Sequence, residues 1–194
     1  VRYNKAIGET MSKTAIIDID NTLWQFCDVL YEKIKKVNKQ FPTPDQWTRW
    51  DLWEGYCSKQ DFFMAIDTIH QNQDNEKYQP YPEAKGFLST LKEHDYHITI
   101  ASHRSPHYMK ATEKWLEQNG LVYDVLHLSH NKTTLFNVFT DVVVDDHPGV
   151  LEKALESGAM ATGLLFPWNK AYSNNRFRLC RNLDEILDGI LTHE

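Results

Sequence analysis

Two carboxylates one residue apart, Asp18 and Asp20, follow the apolar run Thr14-Ala15-Ile16-Ile17 and precede Asn21-Thr22-Leu23-Trp24. The run reads as a short buried strand from Thr14 to Ile19. Side chains two positions apart on a strand leave on the same face. Like charges so placed repel, and either a divalent cation or a shared proton can hold them together. Three further features follow apolar strand-like runs. Ser102 follows Ile98 to Ala101. Lys132 lies in Asn131-Lys132-Thr133-Thr134, beyond Leu126-His127-Leu128. Asp145 and Asp146 follow Val142 to Val144. A hydroxyl, an ammonium and a second acidic pair converge on the first pair if the sheet order brings these strand ends together.

The elements that must position them alternate. After the first strand, Trp24 to Tyr81 reads as helical, with no strand. Val29, Leu30, Ile34, Val37 and Phe41 fit one helix face, stopped by Pro42 and Pro44. Ser58 with Asp61 resembles a capping box that opens a second helix through Phe62, Phe63, Ile66 and Ile69. The spacing then predicts a helix from Pro82 to about His94, a strand His97 to Ala101 and a helix from about His107 to Asn119 closed by Gly120. A short strand Val125 to Leu128, a strand Asp141 to Val144 and a helix Pro148 to Ser157 before Gly158 follow. The last strand is expected at Met160 to Phe166 and the closing helix at Asp184 to Leu191. The fold class is therefore α/β, a three-layer core around a central parallel sheet with a small helical cap inserted after the first strand. The core takes residues 11–23 and 82–194, the cap 24–81. Residues 1–10 are polar, precede Met11, and read as a leader or upstream extension. In open α/β sheets, sites form outside the carboxyl ends of the strands, and the cap emerges there as a lid.

With these residues in hand, the chain resembles the haloacid dehalogenase superfamily of phosphotransferases, whose core is Rossmann-like. Asp18 to Thr22 matches its DxDx[TV] motif, Ser102 its Ser/Thr motif, Lys132 its lysine and Asp145-Asp146 its acidic pair, in the expected order. The resemblance implies Asp18 as a nucleophile that forms an aspartyl-phosphate, and Asp20 as general acid and then base. Asp20 would need to hold a proton at neutral pH, raised by neighbouring carboxylates and lid closure. It implies Mg²⁺ held by Asp18, the backbone carbonyl of Asp20 and Asp145, with Ser102 and Lys132 on the phosphoryl oxygens. Asp146 would orient Lys132 or a metal-bound water, and Thr22 would support the turn after the nucleophile. An acid two residues after the nucleophile favours phosphomonoester hydrolysis over dehalogenation or ATP hydrolysis.

The helical lid and the tail segments Phe166-Pro167-Trp168-Asn169 and Asn174-Asn175-Arg176-Phe177 resemble the 5′(3′)-deoxyribonucleotidase branch, which implies a nucleoside monophosphate substrate. Asn21 and Ser102-His103-Arg104 depart from that branch. The cap aromatics Trp47, Trp50, Trp53, Tyr56, Phe62 and Phe63 have two readings, a small core needing large side chains or a platform for a base. A sugar phosphate and a non-catalytic nucleotide-binding protein are the competing readings. The lysines Lys33, Lys35, Lys36 and Lys39 read as a solvated face, and Arg104 as a surface residue. His103, His130 and His147 adjoin the motifs, but nine histidines in the chain make adjacency unremarkable as evidence of a metal site.

Composition bounds the rest. The 194 residues suffice for one core plus a modest insertion, and a formal net charge of −6 disfavours duplex nucleic acid and acidic membrane surfaces as partners. Cys27, Cys57 and Cys180 are scattered, which predicts neither a disulfide framework nor a zinc site and suits a cytoplasmic location. No apolar run approaches a membrane span.

Overall fold

A computed structural model describes residues 12–49, 53–75, 78–173 and 177–192. The proposed leader, Trp50 and residues 174–176 of the tail lie outside the described residues. Six parallel strands form one sheet in the order β3-β2-β1-β4-β5-β6. They are β1 (Lys13–Ile17), β2 (Tyr96–Ser102), β3 (Val125–Leu128), β4 (Val142–Val144), β5 (Met160–Leu164) and β6 (Arg178–Cys180). The helices are α1 (Phe26–Ile34), α2 (Lys59–Gln71), α3 (Ala84–Glu93), α4 (Met109–Gln118), α5 (Pro148–Glu156) and α6 (Leu183–Thr192).

The central strands are apolar at consecutive positions because both sheet faces are covered. Ala15 and Ile17 pack with α3, α4 and α6 through Phe87, Leu88, Trp115, Leu116, Ile186 and Ile190. Ile16 and Val143 point the other way, onto Val150, Leu151 and Ala154 of α5. Helix α3 illustrates the local logic: Ala84, Phe87, Leu88 and Leu91 recur at helical spacing and are buried, and the face between them is wet.

The chain builds outward from β1 through β2 to β3, then returns to β4 on the other side of β1. Registers align the strand ends: Ile17 pairs with Ile100 of β2 and with Val144 of β4. That reversal opens a crevice at the carboxyl ends of β1 and β4. Between β3 and β4 the chain makes only a short 3₁₀ turn, Lys132–Leu135, which carries Lys132.

The segment between β1 and α3 contains α1, a 3₁₀ turn at Pro44–Gln46, and α2. Helix α1 stops at Ile34, short of the predicted Phe41. Val37 is 58% exposed, whereas Phe41 is buried because the chain turns back, with Asn38 Nδ2 donating to the Tyr56 carbonyl at 2.8 Å. The Ser58 cap is as expected: its hydroxyl accepts from the Asp61 backbone N–H at 3.1 Å and donates to the Asp61 carboxylate at 2.6 Å. The two ends of the segment are pinned together by a bridge between Trp24 and Pro80 and by Tyr81 N–H donating to the Leu23 carbonyl at 2.8 Å.

The expectation that the last strand runs from Met160 to Phe166 is corrected. β5 ends at Leu164, and the last strand is β6, three residues hydrogen-bonded along β5. A run that short has too few positions to display alternation. The cysteines Cys27, Cys57 and Cys180 are free thiols. Among the described residues, no helix is long and apolar enough to cross a membrane.

Candidate functional site

Asp18 is the first residue past β1, and its N–H still donates to the Val144 carbonyl at 2.9 Å. That bond sets its carboxylate beside the end of β4. Oxygens of Asp18, Asp145 and Asp146 lie within 4.8 Å of one another, and all three residues are buried. Lys132 reaches the cluster from its 3₁₀ turn. Its Nζ donates to Asp18 Oδ1, pairs with Asp145 Oδ2 at 2.6 Å and lies 3.4 Å from the Ala101 carbonyl.

One ammonium thus faces three carboxylates in a place water barely reaches. Burial, offset only in part by Lys132 and reinforced by Asp145 and Asp20, pushes the Asp18 carboxyl up to about 7. Burial together with the charges of Asp145 and Asp18 carries Asp146 well above the ordinary carboxylate range. Burial would lower the Lys132 ammonium, but Asp145 and Asp18 outweigh it and hold the proton on. A cluster with surplus negative charge and few protein donors is chemically suited to a hard divalent cation. Asp18, Asp145 and Asp146 are the side chains that can hold one.

The loop after Asp18 explains how Asp146 joins them. Asn21 adopts a left-handed backbone, φ 57°. Its amide donates to Asp146 Oδ2 at 3.2 Å, while its carbonyl accepts the Cys27 N–H at 2.9 Å in the first turn of α1. Asn therefore suits the position twice, tolerating the conformation and capping a helix whose own N-cap residue, Gln25, makes no side-chain cap bond. Asn169 holds the other side of Asp146, donating to its backbone carbonyl at 2.9 Å.

The Asp20 carboxylate has a different set of partners from that of Asp18. β1 ends at Ile17, so strand alternation does not extend to residue 20. Its carboxylate is outside the cluster. It receives Arg104 Nε at 2.9 Å and Arg104 Nη2 at 2.5 Å, one on each oxygen, with Trp24 Nε1 at 2.9 Å and His70 Nε2 at 3.1 Å. Two sequence expectations are corrected here. Arg104 is not a surface residue but 1% exposed. The Asp20 carboxyl is not raised: burial pushes it up, but Arg104 and His70 prevail and hold it far below the ordinary carboxylate range. A bidentate arginine favours the ionised form.

Ser102 is buried at the end of β2, next to the strand that carries Asp18. Thr22 lies in the turn after Asp20, with its N–H on the Ile19 carbonyl at 3.2 Å. Its buried hydroxyl has no hydrogen-bond partner among the described residues. Asn21, not the Thr22 side chain, braces that turn. His147 Nδ1 accepts the Gly149 N–H at 3.1 Å and caps α5. Burial and the Lys132 ammonium push the His103 imidazole down to about 4. Among the described residues, no histidine belongs to the acidic cluster. Sequence reading missed Arg104, His70 and Asn21. Only Arg104 had a local signal, its position two residues beyond Ser102.

The aromatic residues after the first motif are mostly packed. Trp24, Phe26, Trp47 and Phe62 are buried, and Trp47 lies against Trp168 with ring centroids 6.4 Å apart. Phe63 and Tyr56 keep substantial exposure.

No protein-family model matches the chain, and no curated protein matches it. Solved structures do. A predicted phosphoglycolate phosphatase from Haemophilus somnus 129PT superposes with a TM-score of 0.65 at 17% identity, covering 93% of this chain and 99% of that one. A haloacid dehalogenase-like family hydrolase from Streptococcus pneumoniae gives 0.64 at 14% identity over 92% of this chain and 98% of that one. The D,D-heptose 1,7-bisphosphate phosphatase from B. bronchiseptica, solved with magnesium and phosphate, gives 0.54 at 12% identity over 94% and 99%. The likeness is one of fold: the chain has the α/β, Rossmann-like haloacid dehalogenase fold.

Proposed function

We propose that this chain is a Mg²⁺-dependent phosphomonoester hydrolase working through an aspartyl-phosphate on Asp18. The single observation that carries the reading is the buried Asp18–Asp145–Asp146 cluster with Lys132 at the aligned ends of β1 and β4. Three carboxylates around one ammonium make sense where a cation and a phosphoryl group are to be received. Mg²⁺ held by Asp18, Asp145 and Asp146, with the Asp20 backbone carbonyl as a further donor, would supply charge neutralisation for the phosphoryl oxygens.

The residues divide the work. A carboxylate oxygen of Asp18 bonds to phosphorus as the ester P–O bond breaks, and the leaving alkoxide takes a proton from Asp20 as general acid. Lys132 and the Ser102 hydroxyl hold the phosphoryl oxygens, Lys132 compensating the charge that develops there. Water then attacks phosphorus, its proton passes to Asp20, and the Asp18–phosphorus bond breaks. Arg104 and His70 hold Asp20 ionised, so it has a vacant place for that proton but is a weak base for it. Donating to the leaving alkoxide requires a proton that Arg104 and His70 oppose. A phenolic leaving group needs that proton least.

Residues 24–81 act as the cap over this site, with 11–23 and 82–194 as the core. The buried carboxylates and the cap favour a small substrate over a phosphoprotein or nucleic-acid end. Within small phosphate esters, a nucleoside monophosphate is the first to test. Among the described cap rings, Phe63 and Tyr56 are exposed and Trp53 is half-buried, whereas Trp47 and Phe62 are packed, so the first three are the ones to test against a base. Fold neighbours named for phosphoglycolate and for heptose bisphosphate make other small phosphate esters the second set.

The test is hydrolysis of p-nitrophenyl phosphate. Wild type turns over with Mg²⁺, and Asp18→Asn abolishes turnover while its circular dichroism and melting remain those of a folded protein. Turnover persisting in excess EDTA, or in Asp18→Asn, contradicts the reading. A panel of nucleotides, sugar phosphates and phosphoglycolate ranks the substrates by kcat/KM.

A further inference from the structure

Beside Trp24 of its own loop, Asp20 receives donors from two elements far apart in the chain. Arg104 follows β2 and is itself fixed, with Nη1 donating to Thr112 Oγ1 of α4 at 3.1 Å. His70 comes from the last turn of α2, in the inserted segment, and is buried. Its ring lies on Phe26 (centroids 5.3 Å, interplanar 29°) and beside Tyr108 (5.7 Å, 59°). These two rings leave the imidazole little freedom, and they aim Nε2 at Asp20 Oδ2. Tyr108 belongs to the 3₁₀ turn Pro106–Tyr108 beyond Arg104, so one loop supplies both the arginine and a wall for the histidine. Helix α2 also packs on the core through buried Phe62 and Ile69, and just beyond its end Asp74 pairs with Lys114 of α4 at 2.7 Å.

From this geometry we infer that Arg104 and His70 are positioning residues that together fix the Asp20 carboxylate, and that His70 makes the place of the inserted helix α2 a condition for catalysis. The inference rests on the phosphatase reading and adds to it a cap residue acting through Asp20. With α2 seated, both Asp20 oxygens are occupied by donors from core and cap, and the carboxylate has one orientation. With α2 withdrawn, the His70 contact is gone and Asp20 Oδ2 keeps only Arg104 Nε of those two. Chemistry at Asp20 is then coupled to the closed arrangement, in which water is excluded.

The test uses substitutions of His70, because truncating the wholly buried Arg104 would leave Asp20 without its counter-charge and endanger folding. His70→Leu keeps the bulk and removes the donor. His70→Gln keeps an N–H near the place of Nε2. With p-nitrophenyl phosphate and Mg²⁺, His70→Leu should lose about 10- to 100-fold in kcat with KM changed less than about twofold, since misplacement of a reacting group by about 1 Å costs on that order. His70→Gln should retain kcat within about threefold of wild type, restoring the orientation without restoring the ring. Wild-type kcat in His70→Leu, or equal losses in the Leu and Gln variants, overturns the inference. Urea unfolding of His70→Leu, Asp20→Asn and the double variant gives a second readout without turnover. Midpoint shifts that fail to add support the contact, and additive shifts overturn it. A wild type without turnover beside a non-additive cycle refutes the phosphatase reading, and the catalytic consequence with it, leaving the contact standing.

Discussion

Gly163 of β5 tests whether the sheet geometry, and not merely the presence of four motifs, builds the site. A Cβ on this residue would lie 1.8 Å from the Asp145 backbone oxygen and 2.9 Å from its carbonyl carbon. The two strands are tied at this point, with Asp145 N–H on the Thr162 carbonyl at 3.0 Å. The obstruction is backbone, not the flexible end of a side chain. Gly163→Ala therefore forces the end of β4 and β5 apart by at least about 1.2 Å to reach tolerable contact, a strain of the overpacking kind. Asp145 sits 2.6 Å from Lys132 and within the acidic cluster, so the same movement disturbs the cation site.

Overpacking of this kind costs about 1–3 kcal/mol. For a chain of this size each kcal/mol lowers Tm by about 2–4 °C, so a drop of about 2–12 °C is expected. The loss of kcat on p-nitrophenyl phosphate should reach about 100-fold, because Asp145 is displaced by an ångström-scale movement. Gly86→Ala is the matched control. Gly86 is in α3, and a Cβ there meets nothing within 4 Å. It should gain about 0.5–1 kcal/mol from helix propensity and leave kcat unchanged. Melting by scanning fluorimetry in EDTA, followed by steady-state kinetics at saturating Mg²⁺, separates the two. A Gly163→Ala protein that melts with wild type and turns over with wild type refutes the packing argument.

Three further outcomes follow from the charges. In EDTA, Asp18 has a folded carboxyl near 7 against 3.8 unfolded, so the folded state binds the extra proton between those values. Its contribution to stability is complete below the unfolded value and is lost as pH rises through about 7. Between pH 5 and pH 7 wild type should therefore lose on the order of 2 kcal/mol relative to Asp18→Asn in urea titrations, and a constant gap would contradict the assignment. Mg²⁺ at about 100 times its Kd should stabilise wild type by about 2.7 kcal/mol, a Tm rise of about 5–10 °C that Asp145→Asn abolishes. No Tm change in wild type would deny the cation site. Lys132→Met removes the ammonium that faces the cluster and should cost about 3–5 kcal/mol in EDTA. Mg²⁺ should raise the Tm of this variant more than that of wild type, because the ammonium no longer competes for the carboxylates. An equal or smaller rise would place the cation elsewhere.

The site was readable where the sheet itself does the positioning. Ser102, Asp18 and Asp145 end or follow adjacent parallel strands, and parallel strands deliver such residues to one edge. Lys132 follows β3, the strand beyond β2, and reaches back through its short turn. The reading failed where strand geometry stops. The first strand is expected to run to Ile19, but the ladder ends at Ile17 and the chain turns through a left-handed Asn21, so alternation does not fix where Asp20 goes. Arg104 was read as exposed because an arginine is rarely buried without a partner, and its partner proved to be the carboxylate already identified. His70 lies fifty residues from Asp20 on an amphipathic helix where nothing local distinguishes it from its neighbours. Val37 and Phe41 shared a helical spacing that one turn of chain broke.

The separation of Asp18 from Asp20 settles how the site carries so much acid. Four carboxylates, Asp18, Asp20, Asp145 and Asp146, meet two permanent cations, Lys132 and Arg104. His70 adds no charge, since burial and the nearby Arg104 push its imidazole below the ordinary value despite Asp20. Both oxygens of Asp20 are occupied by Arg104, so that carboxylate is balanced. The surplus of two negative charges therefore falls wholly on the Asp18–Asp145–Asp146 side, where Lys132 alone opposes three carboxylates. Without a cation the cluster holds protons: burial first, and then the neighbouring carboxylates, raise both Asp18 and Asp146. A divalent ion matches that surplus and would release the protons, leaving Asp18 ionised and able to attack. On the proposed reading Arg104 would serve Asp18 as well as Asp20: by committing itself to Asp20, it leaves the negative surplus on the other side, where a divalent cation would match it.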